Sequence, residues 1–288
     1  MKITHIKNMT NNKSNHLNEI NSGNRFEFGK NWIRYLDDFD DIKLNNAEES
    51  LKNMLNLETL KGKSFLDVGC GSAIFSLAAK NLGANVVSVD YDPNCITCAN
   101  NLKNKFYKND DRWTILEGSA INKDFMVSLG QFDIVYSWGV LHHTGEMWNA
   151  LNYIDDNVKE QGKLFISLYN DQGFMSKVWK YIKKLYVITP RFLKFLIAFP
   201  CLIVLWGPTM LRDLIALKPF ISWRNYNRNR GMAAYRDLLD WVGGYPFEVA
   251  SPDKVFLFYK QKNYSLKNLV TISGGHGCNQ YVFQKDKK

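Results

Sequence analysis

The nine residues KSFLDVGCG, 63–71, decide how the chain folds. An apolar run closes on Asp67, and Gly69 and Gly71 follow at once, so a buried strand leads into a turn where backbone can approach a ligand closely. The next residues, SAIFSLAAKNLG (72–83), carry small and apolar faces and stop at Gly83, the pattern of a helix whose first amides face the turn. ANVVSVDYD (84–92) reads as a second buried strand, and PNCITCANNLKNKF (93–106) as a second helix opened by Pro93. WTILEGS, FDIVYSW and GKLFISLYN continue the series as three more strands. Repeated βα units predict an α/β protein with a doubly wound, mostly parallel sheet covered on both faces. The series ends in another way: SPDKVFLFYKQ is a capped helix, and YSLKNLVTIS and QYVFQ are strands joined by the glycine-rich GGHGCN. That pair brings the sheet to seven strands.

Composition narrows the setting. With 288 residues, 45% of them hydrophobic, the chain has ample material for a packed core. The first 24 residues are Asn-rich and read as a poorly ordered polar leader, without the apolar stretch or cleavage pattern of a secretory signal. Five scattered cysteines do not make a disulfide framework, which points to a reducing cytoplasm. Cys95 and Cys98 form a CxxC with no second pair and no neighbouring histidine, so no metal is expected there. The net charge of +9 leaves anionic lipid, phosphate and RNA open as partners, because the cations are spread without a basic tail.

The glycine turn separates two kinds of nucleoside site. Asp90 closes the second strand at the distance where an acidic residue meets ribose hydroxyls in doubly wound folds. A dinucleotide fingerprint, GxGxxG, would place a third glycine where Ile74 stands. The acidic residue followed by GxG instead resembles the first motif of the class I S-adenosylmethionine-dependent methyltransferases, and SWGVLHHTGEMW (137–148) resembles the VLHH segment of their small-molecule members, including the quinone-biosynthesis type. The likeness covers about 62–170 in motif detail, and the closing strand pair matches the reversed last strand of that Rossmann-like fold. It implies S-adenosyl-L-methionine as cofactor. By position it implies Asp67, Gly69, Cys70 and Gly71 along the methionine part, Asp90 on the ribose and Tyr91 along the adenosine. Ser119 and Ala120 fall at the adenine, and Ser137 and Trp138 border the sulfonium. The sequence departs from the family at Ala73, which replaces a third glycine, and at Ser119, which replaces the commoner Asp.

His142 and His143 follow the fourth strand, on the sheet edge where open α/β folds bind ligands. Methyl transfer needs an aligned acceptor that can lose its proton, so either histidine is a candidate base, His143 first by position. Support of the loop is the alternative role. A metal site would need Glu146 as a third ligand, and nothing else in the segment has ligand spacing.

The organisation expected is a leader over 1–24, a helical lid over 25–60, a cofactor-binding core over 61–170, a helical cap inserted at 171–250, and a closing helix with the last two strands over 251–288. In the lid, Lys30, Asn31 and Trp32 are candidate acceptor contacts; in the cap, so are Asp240, Trp241 and Tyr245, with Arg228 and Arg230 suited to phosphate or carboxylate. FLIAFPCLIVLWGPTML (195–211) carries no charge, and Pro200, Gly207 and Pro208 are expected to interrupt it. It is read as an apolar cap over the acceptor, with a peripheral, interfacial helix at the inner membrane surface as the alternative and a membrane span, for which its length is marginal, as a third reading. The expected activity is methylation, on oxygen, of a small-molecule, glycan or lipid-linked acceptor. RNA methylation and an inactive cofactor-binding scaffold are the rivals, and the apolar run argues against a polyanion groove.

Overall fold

The computed structural model of the chain describes residues 15–29, 32, 39–230, 234–273 and 275–287, with the side chains of 227–230 left aside. The core opens with α1, Asp41–Leu55, whose first turn is closed by the Asp40 side chain accepting the Lys43 N–H at 2.8 Å. Alternating units follow: β1 Ser64–Val68, α2 Ile74–Asn81, β2 Asn85–Asp90, α3 Pro93–Phe106, β3 Trp113–Glu117, α4 Lys123–Ser128, β4 Phe132–Trp138, α5 Met147–Asp155 and β5 Val158–Tyr169. Four helices come next, α6 Phe174–Ile188, α7 Phe195–Ile215, α8 Ile221–Arg230 and α9 Ala234–Gly243. The chain closes with α10 Pro252–Lys260, β6 Tyr264–Val270 and β7 Cys278–Lys285.

The sheet has seven strands in the order β3-β2-β1-β4-β5-β7-β6, parallel through β5 and antiparallel where β7 meets β5 and β6. Successive residues of its strands serve two cores. Leu66, Val68, Val135, Leu164 and Ile166 bury one face. Phe65, Ile134, Tyr136 and Phe165 bury the other. Strands covered on both sides need apolar residues throughout, which is why the runs in the sequence are nearly unbroken. The order reverses between β1 and β4, and loops that diverge there leave a crevice at the strands' carboxyl ends.

The helices after β5 leave and rejoin this frame at one place. Asn170 and Ala250 form a bridge, and the Ala250 N–H donates to the Tyr169 carbonyl at 3.0 Å. Within the excursion, Trp179, Tyr186, Cys201, Leu238, Val242 and Phe247 make a third apolar cluster.

Three expectations need correction. Pro200 and Pro208 do not interrupt the apolar run: α7 is continuous over 21 residues. Its inner face, with Ile197, Cys201, Leu202 and Leu205, is held in the third cluster, while both prolines sit away from it, where a carbonyl left without its N–H partner can meet water. Nor does the run cover the cavity, for none of residues 195–215 lines it. The poorly ordered leader expected over 1–24 does not extend over residues 15–24. Residues 15–21 are helical, and His16 is buried with its Nε2 3.6 Å from Asp92, whereas residues 1–14 lie outside the described part.

Candidate active site

The crevice at the β1–β4 reversal is a cavity of about 450 Å³. Its floor is the turn that follows β1. Gly69 has φ 78° and Gly71 φ 54°, in the left-handed region that glycine enters without strain. A Cβ on Gly69 would stand 2.3 Å from Val140, so the loops after β1 and β4 touch only because that side chain is missing. Ala73 takes φ 63° without being glycine, and caps α2 in this conformation.

Asp67 lies at the end of β1, 2% exposed, and its Oδ2 accepts the Ser76 hydroxyl at 2.6 Å. With that hydrogen committed, the 2.6 Å contact between Ser76 and Ser88 must be donated by Ser88, and the Trp113 indole N–H donates to Ser88 at 2.8 Å. Trp113, Ser88 and Ser76 thus form a buried relay of donors that ends on Asp67 and fixes its carboxylate. Motif spacing gives no hint of it, because its members come from three separate elements. Burial pushes the Asp67 carboxyl up to about 7, against the lowering effect of the Ser76 bond. Asp90 accepts the Gly71 N–H and the Asp92 N–H, each at 2.9 Å, and burial likewise pushes it up to about 6. Two carboxylates raised in this way favour a ligand that brings positive charge or hydroxyl donors.

Cys70, Tyr91, Ser119, Ala120 and Trp138 also line the cavity. Ser137 does not: its hydroxyl turns back to donate to the Val68 carbonyl at 2.8 Å and ties β4 to β1.

The two histidines separate. Both lie in the 3-10 turn Leu141–His143. His142 is fully buried behind the cavity, its ring 3.9 Å from that of Tyr169, and its Nδ1 accepts the Tyr169 N–H at 3.3 Å. His143 reaches the cavity. Its Nδ1 lies 2.7 Å from the Pro246 carbonyl, and since a carbonyl only accepts, Nδ1 carries the proton and Nε2 presents a lone pair. Burial pulls the imidazole down to about 3, so it is neutral at physiological pH. Among the described residues, no group of three or more His, Cys, Asp or Glu side chains could hold a metal ion.

The remaining wall comes from distant segments. Trp32 lies across the glycine turn, 3.1 Å from where a Cβ of Gly71 would stand. Arg25 donates to the His143 carbonyl at 3.1 Å, and Phe28 packs on the His143 ring at 4.8 Å. Residues 15–29 are strapped over the β2 end: the Gly29 N–H donates to Asp92 at 2.9 Å and Tyr91 donates to Glu19 at 3.2 Å. From the helices after β5, α9 contributes Asp237 and Asp240. Trp241 instead packs over the buried Lys183 ammonium, 4.3 Å from the ring centroid, and Tyr245 gives its carbonyl to the Phe26 N–H at 2.8 Å; neither lines the cavity. Lys30 and Asn31, and the side chains of Arg228 and Arg230, lie outside the described residues. The sequence alone missed His16, Arg25 and Asp237, which bear no motif and reach the cavity by long-range packing, while Phe26 and Phe28, beside Trp32 in the sequence, line it as well.

Residues 35–197 match a family model described as a methyltransferase domain. Among curated proteins, the chain is 28% identical over 147 residues to the ubiquinone biosynthesis O-methyltransferase of Glaesserella parasuis, covering 51% of this chain and 62% of that protein. It is 32% identical over 112 residues to the Coxiella burnetii protein of the same name, covering 39% and 46%. The chain therefore spans less than two thirds of the length of these relatives. In fold it is similar to a magnesium protoporphyrin IX methyltransferase from Synechocystis solved with bound SAH, at TM-score 0.50 and 12% identity, covering 87% of this chain and 86% of that one. It is also similar to the PKMT2 protein of Rickettsia typhi in complex with AdoHcy, at TM-score 0.54 and 13% identity, covering 84% and 54%.

Proposed function

The chain belongs to the methyltransferase-domain family, with the Rossmann-like fold of its class I members, and from that premise we propose that it moves a methyl group from S-adenosylmethionine to a hydroxyl of a small-molecule, glycan or lipid-linked acceptor. The observation that carries the reading is one cavity holding two things: the raised carboxylates Asp67 and Asp90 beside the Gly69 turn, and the His143 Nε2 lone pair. When bound, the cofactor supplies a methyl group on a positively charged sulfur. Asp67, fixed by its relay, suits the cofactor's ammonium, and Asp90 suits ribose hydroxyls; a cationic ligand offsets the cost of burying both charges.

On the other side, His143 takes the proton of the acceptor hydroxyl at Nε2 as the new carbon–oxygen bond forms. The Pro246 carbonyl keeps its bond from Nδ1 throughout and so steadies the imidazolium. Phe28, Trp138 and Tyr169 offer ring faces, and Asp237 and Asp240 offer acceptors, for an acceptor with an apolar face and hydroxyl or amino groups. His142 serves as loop support in this scheme.

The test is transfer itself. Methyl-labelled S-adenosylmethionine is incubated with the protein and a fractionated bacterial extract, and label is followed into lipid, nucleic-acid, protein and small polar fractions. Label in the lipid or small polar fraction supports the reading. Label confined to nucleic acid replaces it with RNA methylation, and cofactor binding with no transfer to any fraction favours a scaffold.

A further inference from the structure

We propose that α7 is a membrane-docking surface that lies flat in the headgroup region of an anionic bilayer. The helix exposes Phe195 (61%), Leu196, Phe199 (61%), Ile203, Val204 (64%), Leu211, Leu214 and Ile215 (75%), which at about 3.6 residues per turn fall on one side and form a broad apolar face. Soluble monomers rarely leave so large an apolar patch open to water. The face does not come from a helix that failed to pack, since its opposite side is built into the cluster with Trp179, Tyr186, Leu238 and Val242.

Charge selects the occupant. From Gln172 to Arg212 the sequence holds seven Lys or Arg and no Asp or Glu, and of the seven only Lys183 is fully buried. Beside α7, the outer face of α6 sets Lys177, Lys180 and Lys184 among the exposed Tyr181, Leu185 and Ile188. Lysine stems can lie along acyl chains while their ammoniums meet phosphate, and rings suit the same boundary. A second protein would have to match both a broad apolar helix and the cationic flank along α6, which a layer of anionic lipid does without special shape.

Depth follows from the same residues. By length and composition Arg191–Ile215 could cross a membrane, but a crossing would strip its inner side from the third cluster. It would also pull away the buried Asp213, which accepts the N–H and the hydroxyl of Ser222 at 2.8 Å each and so holds the turn into α8. Pro200 and Pro208 leave two carbonyls of the exposed side without helical donors, tolerable where water reaches and costly in hydrocarbon. The helix therefore lies on the surface. It packs against α9, which carries Asp237 and Asp240 to the cavity wall, so docking holds the acceptor side of the site close to the bilayer. The inference stands on this surface alone and does not depend on the reaction proposed above.

The test is co-sedimentation of the full chain with vesicles of equal parts phosphatidylcholine and phosphatidylglycerol, against phosphatidylcholine alone. The expected result is binding to the anionic vesicles that weakens with salt. It should fall about tenfold or more in a Phe199→Glu/Ile203→Glu variant whose circular dichroism and S-adenosylhomocysteine affinity match the parent. Lys180→Gln should lower it about fivefold. Absence of binding to either vesicle at low salt overturns the proposal. So does a stable dimer that the double glutamate variant dissociates without changing vesicle binding, which would make the face a contact between copies.

Discussion

The two halves of the cavity are made by different means. The half around Asp67, Gly69, Gly71 and Asp90 is assembled from the ends of adjacent strands within about twenty-five residues of chain, and its carboxylates are fixed by backbone amides and the Ser76 relay. The half around His143 draws on Arg25, Phe26 and Phe28, on Tyr169 and on α9, brought together across more than two hundred positions. The first is a rigid property of the fold, and the second depends on packing between distant segments. Variants should accordingly act on cofactor affinity at one end and on turnover at the other.

The largest separation is expected at His143. His143→Ala should lower turnover ~10²-fold or more with cofactor affinity nearly unchanged, measured by label transfer and calorimetric titration. Normal turnover would reduce His143 to the loop-supporting role given to His142. On the other side, Asp90→Ala should weaken cofactor binding by about 1–3 kcal/mol, the scale of a lost charged hydrogen bond. Unchanged affinity would remove Asp90 from the ribose role and break the comparison from its firmer end.

Asp67→Asn sharpens it further, because stability and binding should move in opposite directions. Asp67 and Asp90 have folded pKa values raised above the usual 3.8, to about 7 and about 6. The folded state therefore holds protons that the unfolded state releases, and their contribution to stability is full below about pH 4 and lost as pH rises through about 6 to 7. Without cofactor, thermal unfolding of Asp67→Asn at about pH 8 should be harder than that of the parent by ~1–3 kcal/mol, while cofactor affinity falls. A variant less stable than the parent would mean that the relay into Asp67 outweighs the burial of its charge. The smallest effect is expected at the turn. Ala73 holds φ 63°, and Ala73→Gly should stabilise the fold by about 0.5–1 kcal/mol in denaturant titration, the left-handed strain relieved less the added chain entropy.

The same contrast explains what the sequence revealed. The strand ends and the glycine turn were legible because burial on both faces forces long apolar runs, and because a positive φ at Gly69 against Val140 admits no side chain. Adjacent histidines were not separable, since a 3-10 turn sends one ring behind Tyr169 and the other toward the cavity, and only tertiary packing decides which. Trp241 was expected beside the acceptor and packs on Lys183, because an aromatic among helices satisfies whichever cation or cluster it meets. Residues 15–24 carry a polar composition, yet His16 and Glu19 anchor them on Asp92 and Tyr91, contacts more than seventy positions away. The prolines of α7 misled in the same manner, because packing along the inner face holds a helix that propensity alone would end.

The most direct measurement of the central claim is calorimetric titration of S-adenosylhomocysteine into the full chain at about pH 8 and about pH 5, bracketing the raised carboxylates. The account predicts saturable binding at the higher pH and clearly weaker binding at the lower, where a protonated Asp90 accepts fewer bonds. Absence of binding at both, or affinity that does not change between them, would contradict a cofactor site built on Asp67 and Asp90.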